Sequence, residues 1–314
     1  MPVVSVILPT HNRASYIGEA IESVLAQTFQ DWELIIVDDG STDHTKKLVD
    51  SYVQRDPRVH YIWQKNAYCV AARNNAFGRV RGKYVAFIDD DDRWLAKKLE
   101  IQVKAMEQDP EIGFCYMQFQ IYKKTREGLQ KTKLFPQFLA RTFEELPDAF
   151  IAPCSVLFRK SHTDRLGKFD TRYKTCEDFD FWLRIAQICK IHPIAEVGAF
   201  TVMDGRLHDA SNEIKVWQIG IEILRNLKLT PQYRHCKHLI RTHIAKRYYW
   251  IAREYLDQKV YWRAAAHFSK ALLTDPLIGL AVRASEKQDV ISQIVKSYAA
   301  APLCLLKGLI HGWR

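Results

Sequence analysis

Three near-continuous apolar runs, each closing on polar residues, dictate what this chain can fold into. Val3-Val4-Ser5-Val6-Ile7-Leu8 stops at Pro9 and leads into Thr10-His11-Asn12-Arg13. Glu33-Leu34-Ile35-Ile36-Val37 ends at Asp38-Asp39-Gly40-Ser41-Thr42-Asp43, and Lys83-Tyr84-Val85-Ala86-Phe87-Ile88 ends at Asp89-Asp90-Asp91-Asp92. The runs lack the polar alternation of a half-solvated strand, so each must be covered on both faces. Helical spacing is read between them at Ser15–Gln27, Asp43–Gln54 and Ala71–Gly78, with Val59–Trp63 as a further strand. Strands alternating with helices in this way specify an α/β fold, a mostly parallel central sheet covered by helices. In such sheets ligands sit beyond the carboxyl ends of the strands. All three polar clusters fall there.

The rest of the chain is of two kinds. Phe114–Tyr122, Ser155–Arg159 and Val197–Met203 read as strands, and Glu177–Cys189 as a helix with an acidic start. From Val216 onward the pattern is helical, with Val216, Ile219, Gly220, Ile223, Leu224 and Leu227 in one stripe. Tyr248, Ile251, Ala252, Tyr255, Ala264, Phe268, Ala271 and Pro276 have the spacing of one tetratricopeptide-like helical hairpin. A single helix pair cannot bury its own core, so it needs a neighbour. Charge divides at the same place. Residues 1–214 hold 29 Lys+Arg and 30 Asp+Glu, whereas residues 215–314 hold 17 and 6, net +11. The expected organisation is 1–105 and 106–214 as two halves of one domain, then 215–314 as a basic, all-helical C-terminal extension.

With 47% hydrophobic and 26% charged residues, disordered and fibrous classes are excluded. The seven cysteines are odd in number and include no C-x-x-C pair, which predicts reduced thiols in a cytoplasmic setting. No signal peptide is readable. The longest apolar run, Tyr298–Leu306, contains Pro302 and falls well short of the ~20 residues of a spanning helix. A protein that is soluble or lies on a membrane surface is expected.

Four adjacent carboxylates at a strand end repel one another unless positive charge joins them. Mg2+ and Mn2+ bind through one or two carboxylates plus phosphate oxygens. A second acid pair, Asp38-Asp39, ends another strand, and together they point to a metal–nucleotide site. Five segments then occur in order: Val6-Ile7-Leu8-Pro9-Thr10-His11-Asn12-Arg13, Ile35-Ile36-Val37-Asp38-Asp39-Gly40-Ser41-Thr42-Asp43, Ala71-Ala72-Arg73-Asn74, Phe87 to Trp94, and Glu177-Asp178-Phe179-Asp180-Phe181-Trp182-Leu183-Arg184. In this the chain, over about residues 3–212, resembles glycosyltransferases of family 2 with the GT-A nucleotide-diphospho-sugar fold.

The resemblance implies roles. Residues 1–105 would be the nucleotide-sugar-binding half and 106–214 the acceptor and catalytic half. Pro9, Thr10, Asn12 and Arg13 after the first strand, with Asp39, Arg73, Asp89 and Asp90, would bind the nucleotide. Thr10 and Asp39 would meet the base, since a carboxylate accepts the uracil N3–H. Asp89 would face the ribose and Asp91 would hold Mn2+ or Mg2+. Glu177, Trp182, Arg206 and His208 would border the diphosphate and acceptor, and Asp178 would be the general base. His11 is read as a loop residue without a ligand role. One departure is Tyr68, where the family commonly has Gly; a bulky ring there would narrow the nucleotide end or reshape a loop.

Elementary chemistry agrees with this assignment. Sugar transfer from a nucleotide diphosphate requires that charge on the leaving group be neutralised and that the acceptor hydroxyl lose its proton. One base and no second carboxylate nucleophile imply a single displacement with inversion, unlike glycoside hydrolysis. The expected partners are a UDP-sugar donor and a saccharide or lipid-linked acceptor in surface-glycan synthesis. Peripheral membrane contact is expected through the basic C-terminal helices, where Lys287, Lys296, Lys307 and Arg314 flank apolar residues. No nucleic-acid motif is present, so no nucleic-acid partner is expected. A nucleotidylyltransferase would want a Gly-rich triphosphate loop that Pro9–Arg13 lacks. A non-catalytic scaffold would not need Asp89, Asp91 and Asp178 together.

Overall fold

The computed structural model describes residues 1–125, 127–136, 139–203, 210–229 and 236–278. The chain divides into two compact units, Met1–Leu207 and His208–Arg314.

The first unit opens with strand β1 (Val4–Thr10), fully buried, then helix α1 (Ile17–Leu25), which turns Ile17, Ala20, Ile21 and Val24 inward. Strand β2 (Trp32–Asp38) runs parallel to β1 in a register that sets Thr10 beside Asp38. Helix α2 (Thr45–Arg55) and strand β3 (Val59–Trp63) follow, then helix α3 (Tyr68–Ala76) and strand β4 (Tyr84–Phe87). Strand β4 lies parallel on the other side of β1, with Ile7 opposite Phe87. The Ile88 N–H continues that pairing to the Ile7 carbonyl at 3.1 Å. Three strand ends therefore finish close to level, and Thr10, Asp39 and Asp89 emerge at one edge.

Beyond β4 the sheet is mixed. Strand β5 (Asp92–Trp94) and helix α4 (Lys98–Gln108) precede a long pair, β6 (Ile112–Thr125) and β7 (Gly128–Phe135). Strand β8 (Val156–Arg159), helix α5 (Ser161–Leu166), helix α6 (Glu177–Ile185) and strand β9 (Lys190–Met203) complete the unit. The strand order is β3-β2-β1-β4-β8-β6-β9-β5, with β7 on β6. β8 inserts antiparallel between β4 and β6, so parallel pairing is confined to β3-β2-β1-β4 and β6-β9.

Two features differ from the sequence reading. Asp92 is not the end of an acidic turn but the first residue of β5, paired with Thr201 of β9. Its partner lies more than a hundred residues away, so no local signal announces it. Strand β9 starts at Lys190 rather than Val197, because Pro193 and register shifts along its pairing with β6 break the period-two pattern.

An aromatic cluster stands directly behind the strand ends. Phe87, Phe158, Phe169, Phe181 and Trp182 pack with centroid separations of 4.5–6.4 Å. Phe87 ends β4, and Phe181 and Trp182 lie one turn into α6. The cluster thus sets the separation between the acid run after β4 and the acid pair that opens α6. In the second unit, helix α7 (Ala210–Leu229) precedes α8 (Lys237–Asp257) and α9 (Tyr261–Thr274). The last two form a hairpin with Ala245, Tyr249 and Ala252 against Ala264, Phe268 and Ala271. Val216, included in the sequence stripe, is 37% exposed, and Ile221 is buried instead. Lys287, Lys296, Lys307 and Arg314 lie outside the described residues.

Phe181 is fully buried at the centre of the aromatic cluster. Phe181→Ala is expected to lower unfolding stability by about 3–5 kcal/mol in urea titration. A loss under ~1 kcal/mol would show that the cluster does not hold α6 in place.

Candidate active site

The loops after β1 and β2 are stitched together. Asn12 takes the left-handed conformation (φ +54°), which an Asn tolerates better than most residues. Its backbone N–H donates to Ser41 Oγ at 2.8 Å, and its side-chain carbonyl accepts from the Thr42 N–H at 2.7 Å. Gly40 sits at φ +81°, where a Cβ would come within 2.9 Å of the Asn66 nitrogen, so only glycine allows this approach. Asp38 is fully engaged in structure. It accepts from the Ser41 N–H and from the Tyr61 hydroxyl, each at 2.7 Å. Burial, and then the Asp38 carboxylate, push the Tyr61 phenol well up from its ordinary value.

Asp39 is presented differently. One carboxylate oxygen accepts from Gln64 Nε2 at 2.7 Å and from the Ala67 N–H at 2.8 Å. That orients the carboxyl at the start of α3. His11 is held with Nδ1 2.8 Å from the Asp39 carbonyl oxygen.

The acid run after β4 is split by its partners. Thr10 donates to Asp90 Oδ2 at 2.8 Å. The Arg13 guanidinium lies 3.5 Å from Asp90 and 4.0 Å from Asp91. Arg73, with a side chain 4% exposed, donates to Asp89 at 2.6 Å and, through its other terminal nitrogen, to Glu177. A buried guanidinium therefore joins the acid run of β4 to the acid pair of α6. Cys176, at φ +64°, makes the turn into that helix. Asp178 follows, half-buried, accepting the Phe179 N–H at 2.8 Å.

Burial dominates the electrostatics. It raises Asp90 to about 7 against the Thr10 hydrogen bond, and it raises Asp91, with the Asp89 charge adding to the effect. Asp92, 8% exposed, is pushed far above the usual carboxylate range by burial and then by Asp89 and Asp91. Glu177 is raised to about 7 by burial, opposed by Arg73 and reinforced by Asp178. Asp178 is raised by burial, again opposed by Arg73. The cluster thus holds more carboxyl groups than Arg13 and Arg73 could pair if all were ionised, and burial keeps several of them protonated.

Among the described residues no three His, Cys, Asp or Glu side chains converge as a complete ligand set. Mn2+ or Mg2+ needs only one or two carboxylates when phosphate oxygens complete its shell. The carboxyl groups gathered around Asp91, which a bound cation would allow to ionise, fit such an ion.

The structure brings Thr10, Arg13, Asp39, Arg73, Asp89, Asp90, Asp91, Glu177 and Asp178 to one edge. Two of the residues named from sequence are taken up by the packing of the sheet and the aromatic cluster. Pro9 is buried in β1 opposite Val37. Trp182 is 2% exposed, its indole N–H donating to the Ile151 carbonyl at 3.2 Å inside the aromatic cluster. Arg73 is enclosed by two carboxylates rather than offered to a base. Asn12 serves loop geometry. Arg206 and His208 lie outside the described residues. Sequence reasoning missed Gln64, Asn66 and Tyr61, whose types carry no chemical signature; only the fold sets them against Asp38, Asp39 and His11.

Comparison with known proteins completes the picture. Residues 5–167 match the family described as Glycosyl transferase family 2. The chain is 34% identical over 186 residues to TuaG of Bacillus subtilis (strain 168), assigned by its name to teichuronic acid biosynthesis, covering 59% of this chain and 72% of that protein. It is 32% identical over 189 residues to the Escherichia coli UDP-Glc:alpha-D-GlcNAc-diphosphoundecaprenol beta-1,3-glucosyltransferase WfgD, covering 58% and 69%. The crystal structure of S. aureus TarS 1-349 in complex with UDP-GlcNAc superimposes with a TM-score of 0.66 at 16% identity, covering 99% of this chain and 92% of that one. The architecture is the GT-A fold.

Asp90 retains its proton in the folded state up to about pH 7, whereas an unfolded Asp sheds it near its ordinary value. Between those values the folded state binds more protons, so stability falls as pH rises. In EDTA, wild-type stability is expected to decline from pH ~4.5 to ~7.5 relative to Asp90→Asn, measured by thermal unfolding. Parallel pH profiles would refute the burial of this charge.

Proposed function

This chain belongs to glycosyl transferase family 2, and on that premise we propose that it transfers a sugar from a UDP-sugar to a hydroxyl of a saccharide or lipid-linked acceptor, with inversion at the anomeric carbon. The observation that carries the reading is Arg73, which joins Asp89 of the donor-side acid run to Glu177 beside Asp178. Donor and base are thereby held in one frame.

In this reading Asp39 receives the imide N–H of the base, with one oxygen already fixed by Gln64 and Ala67. Asp89, tethered by Arg73, faces the ribose. Mn2+ or Mg2+ would be held by Asp91 with donor phosphate oxygens and, when bound, supplies positive charge to the leaving diphosphate. The acceptor oxygen attacks the anomeric carbon as the bond to the diphosphate breaks. Its proton passes to Asp178, and the electron pair of the broken bond leaves with the diphosphate. Glu177 is bound to Arg73, so Asp178 is the carboxylate available as base. Burial raises its proton affinity, which strengthens it as a base in its ionised form.

The names of TuaG and WfgD support an acceptor in cell-surface glycan synthesis, and WfgD supports a lipid-linked one. A cytoplasmic enzyme touching a membrane through residues 215–314, net +11, would meet such an acceptor in two dimensions. No helix among the described residues is long and apolar enough to cross a membrane.

Asp178→Asn keeps the shape and removes the basicity. Donor binding is expected to persist in calorimetry while transfer falls at least ~10²-fold. Near-normal turnover would place the base elsewhere. In a thermal-shift panel, UDP with Mn2+ is expected to raise the melting temperature more than GDP with Mn2+, because the tighter ligand stabilises more at equal concentration. A larger GDP shift would overturn the uracil assignment, and equal shifts with EDTA and Mn2+ the metal assignment.

A further inference from the structure

Tyr68 and Lys174 have no part in the assignment above, yet they meet beside residues that belong to it. Tyr68 opens α3 with φ +72°, a left-handed conformation that is strained for a bulky L-residue. It leaves the ring 56% exposed, where an aromatic side chain gains little from burial. Strain of this sort persists where surrounding contacts hold it and concentrates at binding sites. One contact is evident: Lys174 Nζ lies 3.9 Å from the centre of the ring, well within cation–π range.

The place of this pair follows from its neighbours. The Ala67 N–H, one residue before Tyr68, donates to Asp39. The Cys69 thiol, one residue after, feels the charges of Arg73, Asp89, Glu177 and Asp90. Lys174 precedes Glu177 by three residues and Asp178 by four. The ring that carries the ammonium thus sits in the chain between a residue that holds Asp39 and one that feels the acid cluster, and Lys174 itself is on the loop that enters α6. It is exposed and makes no ion pair among the described residues, whereas the ion pairs of Asp89, Asp90, Asp91 and Glu177 among the described residues come from Arg13 and Arg73. A donor diphosphate adds further negative charge, and a mobile four-carbon stem can carry a cation to it.

We propose that Lys174 is a diphosphate-binding cation, parked on the Tyr68 ring in the free protein and transferred to the donor diphosphate when the donor binds. Tyr68 is then a positioning residue: its ring holds the ammonium away from the neighbouring carboxylates. This rests on the donor-site reading above.

The test measures calorimetric affinity for UDP and for uridine, both with Mn2+, in wild type, Lys174→Gln, Lys174→Arg and Tyr68→Gly. Lys174→Gln is expected to weaken UDP binding about tenfold and leave uridine binding unchanged, since uridine lacks the diphosphate. Lys174→Arg, which keeps the charge, restores most of the UDP affinity. Tyr68→Gly relieves the backbone while removing the ring, and UDP affinity falls part of the way with uridine unaffected. UDP affinity unchanged in Lys174→Gln, or uridine weakened equally, overturns the proposal. Wild type that fails to bind UDP overturns the donor-site reading and this inference with it.

Discussion

A guanidinium buried between two carboxylates organises the catalytic unit. Removing Arg73 from water is costly, and the cost is offset only because Asp89 and Glu177 both reach it. Those carboxylates come from elements 88 residues apart in sequence, the end of β4 and the start of α6. Loss of either partner would leave one terminal nitrogen of the buried guanidinium without its acceptor. The aromatic cluster of Phe87, Phe158, Phe169, Phe181 and Trp182 does the same by packing, since rings at 4.5–6.4 Å leave little room for α6 to slide. Charge and packing thus agree on one separation between the two acid groups.

That arrangement is electrostatically incomplete. Asp90, Asp91, Asp92, Glu177 and Asp178 are all pushed above the usual carboxylate range, chiefly by burial. A fold that keeps so many acids together can take up positive charge, which a divalent ion with Arg13 and Lys174 can supply. Positive groups oriented in advance need not be assembled during reaction, the condition under which they stabilise a leaving diphosphate best.

The candidate site could be proposed from sequence because its residues are chemically unusual. An acid run after a buried apolar strand is costly without a reason, and Asp39, Asp89, Asp91 and Asp178 could be singled out on type and order. Residue type failed where the role depends on direction. Trp182 was read as bordering the diphosphate and acceptor, but its helical phase turns it into the core. Arg73 looks like a ligand-binding cation, but the carboxylates around it claim its nitrogens. Tyr68 was noticeable as a departure, and only its positive φ and the Lys174 contact show what the departure does locally. Gln64, Asn66 and Tyr61 carry no signal, because an amide or phenol becomes a site residue only through its neighbours.

The sequence by itself determined the apolar strands β1, β2 and β4 and the polar residues that close each of them, acids in the case of β2 and β4. Burial on both faces demands continuous apolar runs, and that demand is written locally. Tertiary structure alone decided that β8 enters antiparallel, that Asp92 belongs to β5, and that β9 begins at Lys190, because each depends on hydrogen-bonding partners distant in the chain. It likewise decided which carboxylates share a guanidinium. Local pattern records which face a residue must hide; it does not record which distant charge will be waiting there.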